Sequence, residues 1–310
     1  MTTNQHKPKR TKIGLRTTSS CRSYGSWLIL LLLISCQSAP IISESIFDNM
    51  EYVPLDKGAF AYVFTNVKEA RPILDIVPVQ QLKNWQAKMI LESTDLAVAG
   101  LYPKGDSRHF QVTGWGDYPS LRARVALFFN TSWKKQRSAT GTYWYSAFQK
   151  ISVVINPKQV FAIAWQESYD NPVPASPGIK MPEGFAGFMK GAPLSCWMES
   201  PSLLLNQILS NEGIPINLPA EQLFLNLYPR NGNQYEVLLR LKFENATQAR
   251  TIAAVLALAS TLSANRQSVL ASIFFANPPS LYGQNIELRT ALLSEKEITL
   301  LLQMFLVYWK

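Results

Sequence analysis

The stretch LYPKGD, Leu101 to Asp106, returns later in the chain as LYPRNG, Leu227 to Gly232. An alternating run follows each copy: Phe110-Gln111-Val112 after the first and Tyr235-Glu236-Val237 after the second. Proline, glycine and polar residues between two apolar runs predict a β-hairpin. Because the two hairpins lie about 125 residues apart and weaker matches keep the same order, the sequence favours an internal duplication.

The elements around each hairpin predict an α+β fold. In the first half, strands over 96–102 and 110–115 lie between helices over 81–91 and 120–130; the second half fills the same positions. The order β-α-β-β-α-β is the ferredoxin-like order, so we predict two tandem ferredoxin-like repeats with amphipathic or apolar helices. The boundaries follow from composition: a first repeat over 51–169, a Pro-rich linker over 170–182 and a second repeat over 183–310.

The N-terminus has the anatomy of a secretory signal peptide over 1–35. An acid-free basic segment precedes the apolar run Trp27–Ile34, and a small residue comes just before Cys36. The basic residues are Lys7, Lys9, Arg10, Lys12, Arg16 and Arg22. They carry six of the nine net positive charges, so the chain from Cys36 onwards is only about +3 (9 − 6).

The order Leu33-Ile34-Ser35-Cys36 resembles the lipobox of bacterial lipoproteins, in the looser form found in spirochaetes. The resemblance implies that Cys36 receives a diacylglycerol and an N-acyl chain, and that 36–50 is a lipidated tether. Two alternatives stay open: an uncleaved anchor, and a signal peptide cut elsewhere that leaves Cys36 as a free thiol.

Few residues of the mature chain suit catalysis or metal binding. His109 is the only histidine after the leader and follows Arg108 at a hairpin mouth, where a solvated loop histidine is the simpler interpretation. Cys196 is the only cysteine after Cys36, so an internal disulfide scaffold and the usual zinc sites are excluded, and we expect a buried apolar thiol. Gly114-Trp115-Gly116 is too short for a phosphate loop. We therefore expect no enzyme, no cofactor beyond the acyl chains, and no nucleic-acid partner.

The segment from Thr131 to Lys150 combines aromatic and basic residues without any acid. Trp and Tyr favour the bilayer interface, and nearby Lys gains from anionic lipid. The candidate membrane-contact residues are Trp133, Lys134, Lys135, Tyr143, Trp144 and Tyr145, with Trp85 from the stripe Val79, Leu82, Trp85 and Met89. The alternative is that these aromatics form an ordinary core with a charged rim.

Two further segments are apolar on most faces: Thr251 to Ala276 and Ile298 to Trp309. The first is interrupted by Asn265-Arg266-Gln267 and the second has only 12 residues, so neither has the uninterrupted apolar length that a spanning helix needs. Burial under a sheet is the simpler interpretation of each, and we predict that the C-terminal run is a central strand. Contact with lipid is the alternative.

The chain combines a lipobox, alternating strands and helices, and several apolar helices. In this combination it resembles the family of the concealed outer-membrane lipoprotein of the syphilis spirochaete. That resemblance implies a non-enzymatic lipoprotein on the periplasmic leaflet of the outer membrane, whose amphipathic helices associate with anionic lipid and permeabilise it. The alternative is a tethered module facing the periplasm that binds a ligand or protein. An enzyme would need carboxylates such as Glu167 and Asp170 to converge.

Overall fold

The computed structural model describes residues 50–76, 85–103, 105–139, 141–165, 171–211, 216–262 and 276–309. The helices are α1 (Arg71–Leu74), α2 (Trp85–Glu92), α3 (Ser120–Phe129), α4 (Phe185–Met189), α5 (Ser202–Asn211), α6 (Ala246–Leu262) and α7 (Glu295–Trp309). The strands are β1 (Tyr52–Val53), β2 (Ala61–Asn66), β3 (Thr94–Leu101), β4 (Arg108–Gly116), β5 (Lys134–Ser138), β6 (Gly141–Ser146), β7 (Ile151–Ile155), β8 (Gln159–Trp165), β9 (Ile179–Lys180), β10 (Leu194–Glu199), β11 (Gln222–Arg230), β12 (Gln234–Lys242), β13 (Ser280–Tyr282), β14 (Asn285–Arg289) and β15 (Leu293–Ser294). The predicted α+β class is confirmed.

Thirteen strands of the described residues form one antiparallel sheet. Their order is β13-β14-β12-β11-β10-β2-β3-β4-β8-β7-β6-β5, and β15 pairs with β12. The short strands β1 and β9 form a separate pair. The sheet therefore has β13 and β5 at its two edges.

The same topology occurs on both sides of the β2–β10 pair, where Ala61 lies opposite Met198. From β2 outwards the strands are β2, β3, β4 and β8; from β10 outwards they are β10, β11, β12 and β14. The ferredoxin-like arrangement is not confirmed. In a split β-α-β unit, another strand lies between the two strands that the helix connects. Here β2 and β3 are direct neighbours, and so are β10 and β11.

Most of the apolar core lies between one face of the sheet and the helices. Leu209 of α5 and Leu256 of α6 pack there against strand residues such as Leu239. Alternation along the paired strands places α3 on the same face, above Val153 and Ile155. The opposite face is covered near the middle by α4, where the Trp197 ring stacks on Tyr62 with centroids 4.6 Å apart.

Element boundaries agree with the sequence in the centre of the chain and differ at its end. The helix predicted over 120–130 is α3, and both predicted hairpins form. The C-terminal run is the helix α7 and not a central strand, because Ile298 and Leu301 are buried at helical spacing while Leu300 between them is half exposed. Predictions for 1–49, including Cys36, and for 263–275 lie outside the described residues.

Candidate membrane-facing surface

A buried hydrogen bond under its N-terminus positions helix α3. The Tyr118 hydroxyl lies 2.9 Å from Thr94 Oγ1, which itself donates to the Ile90 carbonyl at 2.6 Å. Burial raises the pKa of Tyr118 to about 12, so this phenol stays protonated. Further along α3, the Arg124 guanidinium donates to the Ile155 carbonyl of β7 at 3.0 Å. These contacts hold the helix to the sheet at its N-terminus and near its middle.

The glycines of Gly114-Trp115-Gly116 make room for that arrangement. A Cβ on Gly114 would lie 2.7 Å from the Tyr118 hydroxyl, and one on Gly116 would lie 1.9 Å from the Ser93 carbonyl oxygen. These positions need glycine because neighbouring groups occupy the space, so the motif is structural.

Helix α3 is apolar on two opposite faces. Ala123 and Leu127 are buried against the sheet. On the other side, Leu121, Val125, Phe128 and Phe129 are exposed at the spacing i, i+4, i+7, i+8. Phe128 and Phe129 are 71% and 75% exposed, and their rings meet edge to face at 5.5 Å. Burying a phenylalanine side chain gains about 1.5–3 kcal/mol, so the exposed stripe favours an apolar environment.

The surroundings of this stripe are strongly cationic. Residues 118–165 contain no Asp or Glu, and their basic residues are Arg122, Arg124, Lys134, Lys135, Arg137, Lys150 and Lys158. Lys134, Lys135 and Arg137 belong to the edge strand β5 and are all exposed. Lys158 is bound to Asp117 at 2.9 Å. An exposed apolar stripe within a cationic region matches the interface of an anionic bilayer.

A further exposed aromatic residue, Phe148, lies near the beginning of β5. Phe148, in the turn between β6 and β7, is 89% exposed. Lys134, at the start of β5, pairs with Tyr145 at the end of β6, so the 147–150 turn lies beside the beginning of β5. Because α3 ends only a few residues before β5, Phe128, Phe129 and Phe148 all lie near the beginning of β5. We call the exposed α3 residues Leu121, Val125, Phe128 and Phe129 the apolar stripe; Phe148 is a candidate extension of it.

The structure separates the sequence-predicted contact residues into two groups. Lys134 and Lys135 are exposed on the edge strand β5, on opposite faces of the sheet, whereas Tyr143 and Trp144 are buried at 8% and 7% exposure. Trp133 and Tyr145 are half-buried, and Trp133 packs against the core beneath α3. Trp85 is the first residue of α2; Val79 and Leu82 of the same predicted stripe lie outside the described residues. Buried aromatic rings offer little surface to a bilayer in this conformation.

Sequence reasoning missed Leu121, Phe128 and Phe129. The signal was present in SLRARVALFF, Ser120 to Phe129, because more apolar residues follow one another than a single buried face accommodates. A helix with one buried stripe leaves the remainder of such a run exposed. The basic residues around it, in contrast, could be read directly.

The remaining candidates from the sequence have structural placements. His109 lies exposed in β4, and its carbonyl accepts a hydrogen bond from the Tyr102 amide. Cys196 lies in β10; its residue surface is half-buried, but its thiol lies in the apolar core, and this burial raises the pKa to about 12. Across the parts of the chain that the structure describes, no three His, Cys, Asp or Glu side chains cluster to hold a metal ion. Among those same residues no helix has the length and apolar character to cross a bilayer.

The chain has the fold of a solved spirochaete outer-membrane lipoprotein. That protein is TP0453, the concealed outer-membrane lipoprotein of the syphilis spirochaete. Its crystal form I aligns with a TM-score of 0.59 at 15% identity, over 83% of this chain and 98% of TP0453. Forms III and IV give TM-scores of 0.54 and 0.56 at 16% identity, over 80% and 84% of this chain and 95% and 99% of TP0453. No protein-family description and no curated protein sequence matches the chain. The predicted resemblance is confirmed in the fold.

Proposed function

We propose that this chain is a non-enzymatic, lipid-anchored protein that lies against the periplasmic leaflet of an outer membrane through the apolar stripe. The observation that carries the proposal is the exposure of Phe128 and Phe129 on a helix within residues 118–165, a region with seven basic residues and no acidic one. Lipid chains on Cys36 would supply the anchor, and the two tandem repeats would form the domain that the anchor holds at the bilayer. Permeabilisation belongs to the same proposal, since apolar side chains that enter one leaflet disturb its packing.

Anchoring alone does not require this surface. Two or more acyl chains hold a protein stably on a bilayer, whereas one gives only marginal binding. We infer that the apolar stripe orients the domain. Its side chains enter the acyl boundary, and Lys134 and Lys135 remain at the level of anionic headgroups.

The test is flotation of the chain without residues 1–36, so that no acyl chain contributes. The protein should float with vesicles rich in an anionic phospholipid and float poorly with purely zwitterionic vesicles. The double variant Phe128→Ser/Phe129→Ser should lower the partition coefficient by roughly two orders of magnitude or more, since each side chain contributes about 1.5–3 kcal/mol. Release of an entrapped dye, measured on the same vesicles, tests permeabilisation.

The matched control is Leu258→Ser, an exposed side chain on α6 in the other half of the sheet. It should leave flotation unchanged. Equal flotation of the double variant and the unaltered chain would remove the proposal. The alternative, a tethered module for a ligand or protein, predicts that the domain stays in solution with every vesicle.

A further inference from the structure

The second of the two repeated hairpins brings two arginines onto one carboxylate. Arg230, at the end of β11, donates to Glu236 Oε2 through Nε at 2.9 Å and also through Nη2. Arg289, at the end of β14, donates to Glu236 Oε1 at 2.6 Å through Nη1. Burial opposes ionisation of Glu236, but the hydrogen bond from Arg230 and the charge of Arg289 together lower the pKa of its carboxyl.

The first hairpin has the opposite balance of charge. Its single arginine, Arg108, lies between two carboxylates: its Nε and Nη2 donate to Asp106 at 2.9 Å, and Nη1 lies 3.7 Å from Asp56. Its guanidinium carbon is 3.9 Å from the Tyr102 ring centroid, and the side chain is only 18% exposed. Arg108 is therefore neutralised and enclosed, as expected of a structural residue.

The second hairpin is neither neutralised nor enclosed. Two guanidiniums share one carboxylate, leaving a net positive charge, and the side chains of Arg230 and Arg289 are 44% and 58% exposed while that of Glu236 is 11% exposed. Each guanidinium carries five N–H donors in a planar fork, and the bonds to Glu236 use only some of them. The carboxylate holds both forks near one point, and both arginine side chains remain accessible to solvent.

We propose that Arg230 and Arg289 form a phosphate-binding site in which Glu236 is a positioning residue. Paired guanidiniums suit phosphate because each can donate two parallel hydrogen bonds to its oxygens. The half-buried Tyr228 ring, 5.2 Å from the Arg230 guanidinium carbon, provides an adjacent face for the group that bears the phosphate. The site does not rest on the membrane proposal, because strand directions place it at the opposite end of the sheet from Phe148.

The experiment titrates the full chain, in a phosphate-free non-ionic detergent, with inorganic phosphate and separately with soluble dibutyryl phosphatidic acid. Arg230→Gln and Arg289→Gln should each weaken binding of the phosphate probe about tenfold or more, since each removes a charge-assisted contact. Arg289→Lys, which keeps the charge without the fork, should give an intermediate loss of binding.

Arg240→Gln is the matched control, because Arg240 pairs one-to-one with Glu287 on the same face of the sheet. It should change binding by less than about twofold at physiological salt. The lipid probe identifies the source: tighter binding of phosphatidic acid indicates a lipid headgroup, and equal binding a free phosphate.

Glu236→Gln separates a built site from general electrostatic attraction. The substitution raises the net positive charge, so diffuse attraction would strengthen phosphate binding, whereas loss of orientation should weaken it severalfold. We expect weaker binding by protein that circular dichroism shows to be folded, with a lower melting temperature because the charged hydrogen bonds to Arg230 and Arg289 are weakened. Stronger binding by Glu236→Gln, an Arg240→Gln loss equal to that of Arg230→Gln, or no saturable binding of either probe would overturn the proposal.

Discussion

Helices α3 and α6 occupy equivalent places in the two halves of the sheet, yet their outer faces differ. Helix α3 follows the β3–β4 hairpin, and the later strand β8 pairs with β4. Helix α6 follows the β11–β12 hairpin, and the later strand β14 pairs with β12. Each buries a leucine against the same face of the sheet, Leu127 in α3 and Leu256 in α6. Outwards, α3 presents Phe128 and Phe129, whereas α6 presents Val255 and Leu258.

Their electrostatic surroundings differ as well. The 118–165 region around α3 has seven basic residues and no acidic one, and Asp117 just before it is paired with Lys158; α6 has one charge of each sign, with Glu244 before it and Arg250 within it. The position and the inner face of each helix follow from the fold, because a buried leucine must pack against the sheet. The outer face is not constrained in this way, so it is the face on which the two halves can acquire different functions.

Replacing the buried leucines should break the part of the comparison that the helices share. Leu256→Ala and Leu127→Ala should each lower the free energy of unfolding, by about 2–5 kcal/mol in proportion to the cavity left. Leu256 is fully buried and Leu127 is at the limit of burial, so the loss should be larger in α6. Urea unfolding measures both. Leu258→Ala, on the exposed face of α6, should change stability by less than about 0.5 kcal/mol; a cost for Leu127→Ala no larger than that would contradict the packing of α3.

Phe148→Ser tests whether the apolar stripe extends from α3 to the 147–150 turn. If the turn reaches the same bilayer, the substitution should weaken vesicle partitioning by about 1.5–3 kcal/mol without altering the urea midpoint. Leu203→Ser is the control, since Leu203 is about as exposed but belongs to α5 in the other half. Equal effects of Phe148→Ser and Leu203→Ser would show that exposed apolar area, and not its position, governs binding.

The sequence predicts the inner architecture better than the outer surface. The two Leu-Tyr-Pro hairpins and helix α3 could be predicted because turn chemistry and alternation are local signals. The sheet order could not be predicted, because contacts between residues far apart in sequence decide which strands are neighbours. One such contact is the stacking of Trp197 on Tyr62 across the β2–β10 pair. A mostly apolar C-terminal run likewise fits a strand or a helix until its packing partners are known.

In the candidate membrane surface, the position of charged residues could be predicted and that of aromatic residues could not. Lys134 and Lys135 could be placed outside from charge alone, since an unpaired lysine is rarely buried. The burial of Tyr143 and Trp144 could not be predicted, because every aromatic residue in their segment fits either a core or a membrane interface. Their neighbours Val153 and Ile155, which belong to another strand, decide the burial of Trp144.

The smallest expected effect per residue on vesicle binding concerns the charges that distinguish the surroundings of α3 from those of α6. Lys134→Gln/Lys135→Gln should weaken binding to anionic vesicles by about 2 kcal/mol in total, because each lysine near the surface contributes about 1 kcal/mol. At about 1 M salt the Debye length falls to roughly 3 Å, so the double variant and the unaltered chain should then bind equally. Lys180→Gln/Lys190→Gln removes the same charge from exposed positions outside the 118–165 region and should have little effect at any salt concentration. A loss that persists at high salt would instead mean that the methylene groups of the lysine side chains contribute through apolar contact. The charge around α3 would then not select the lipid.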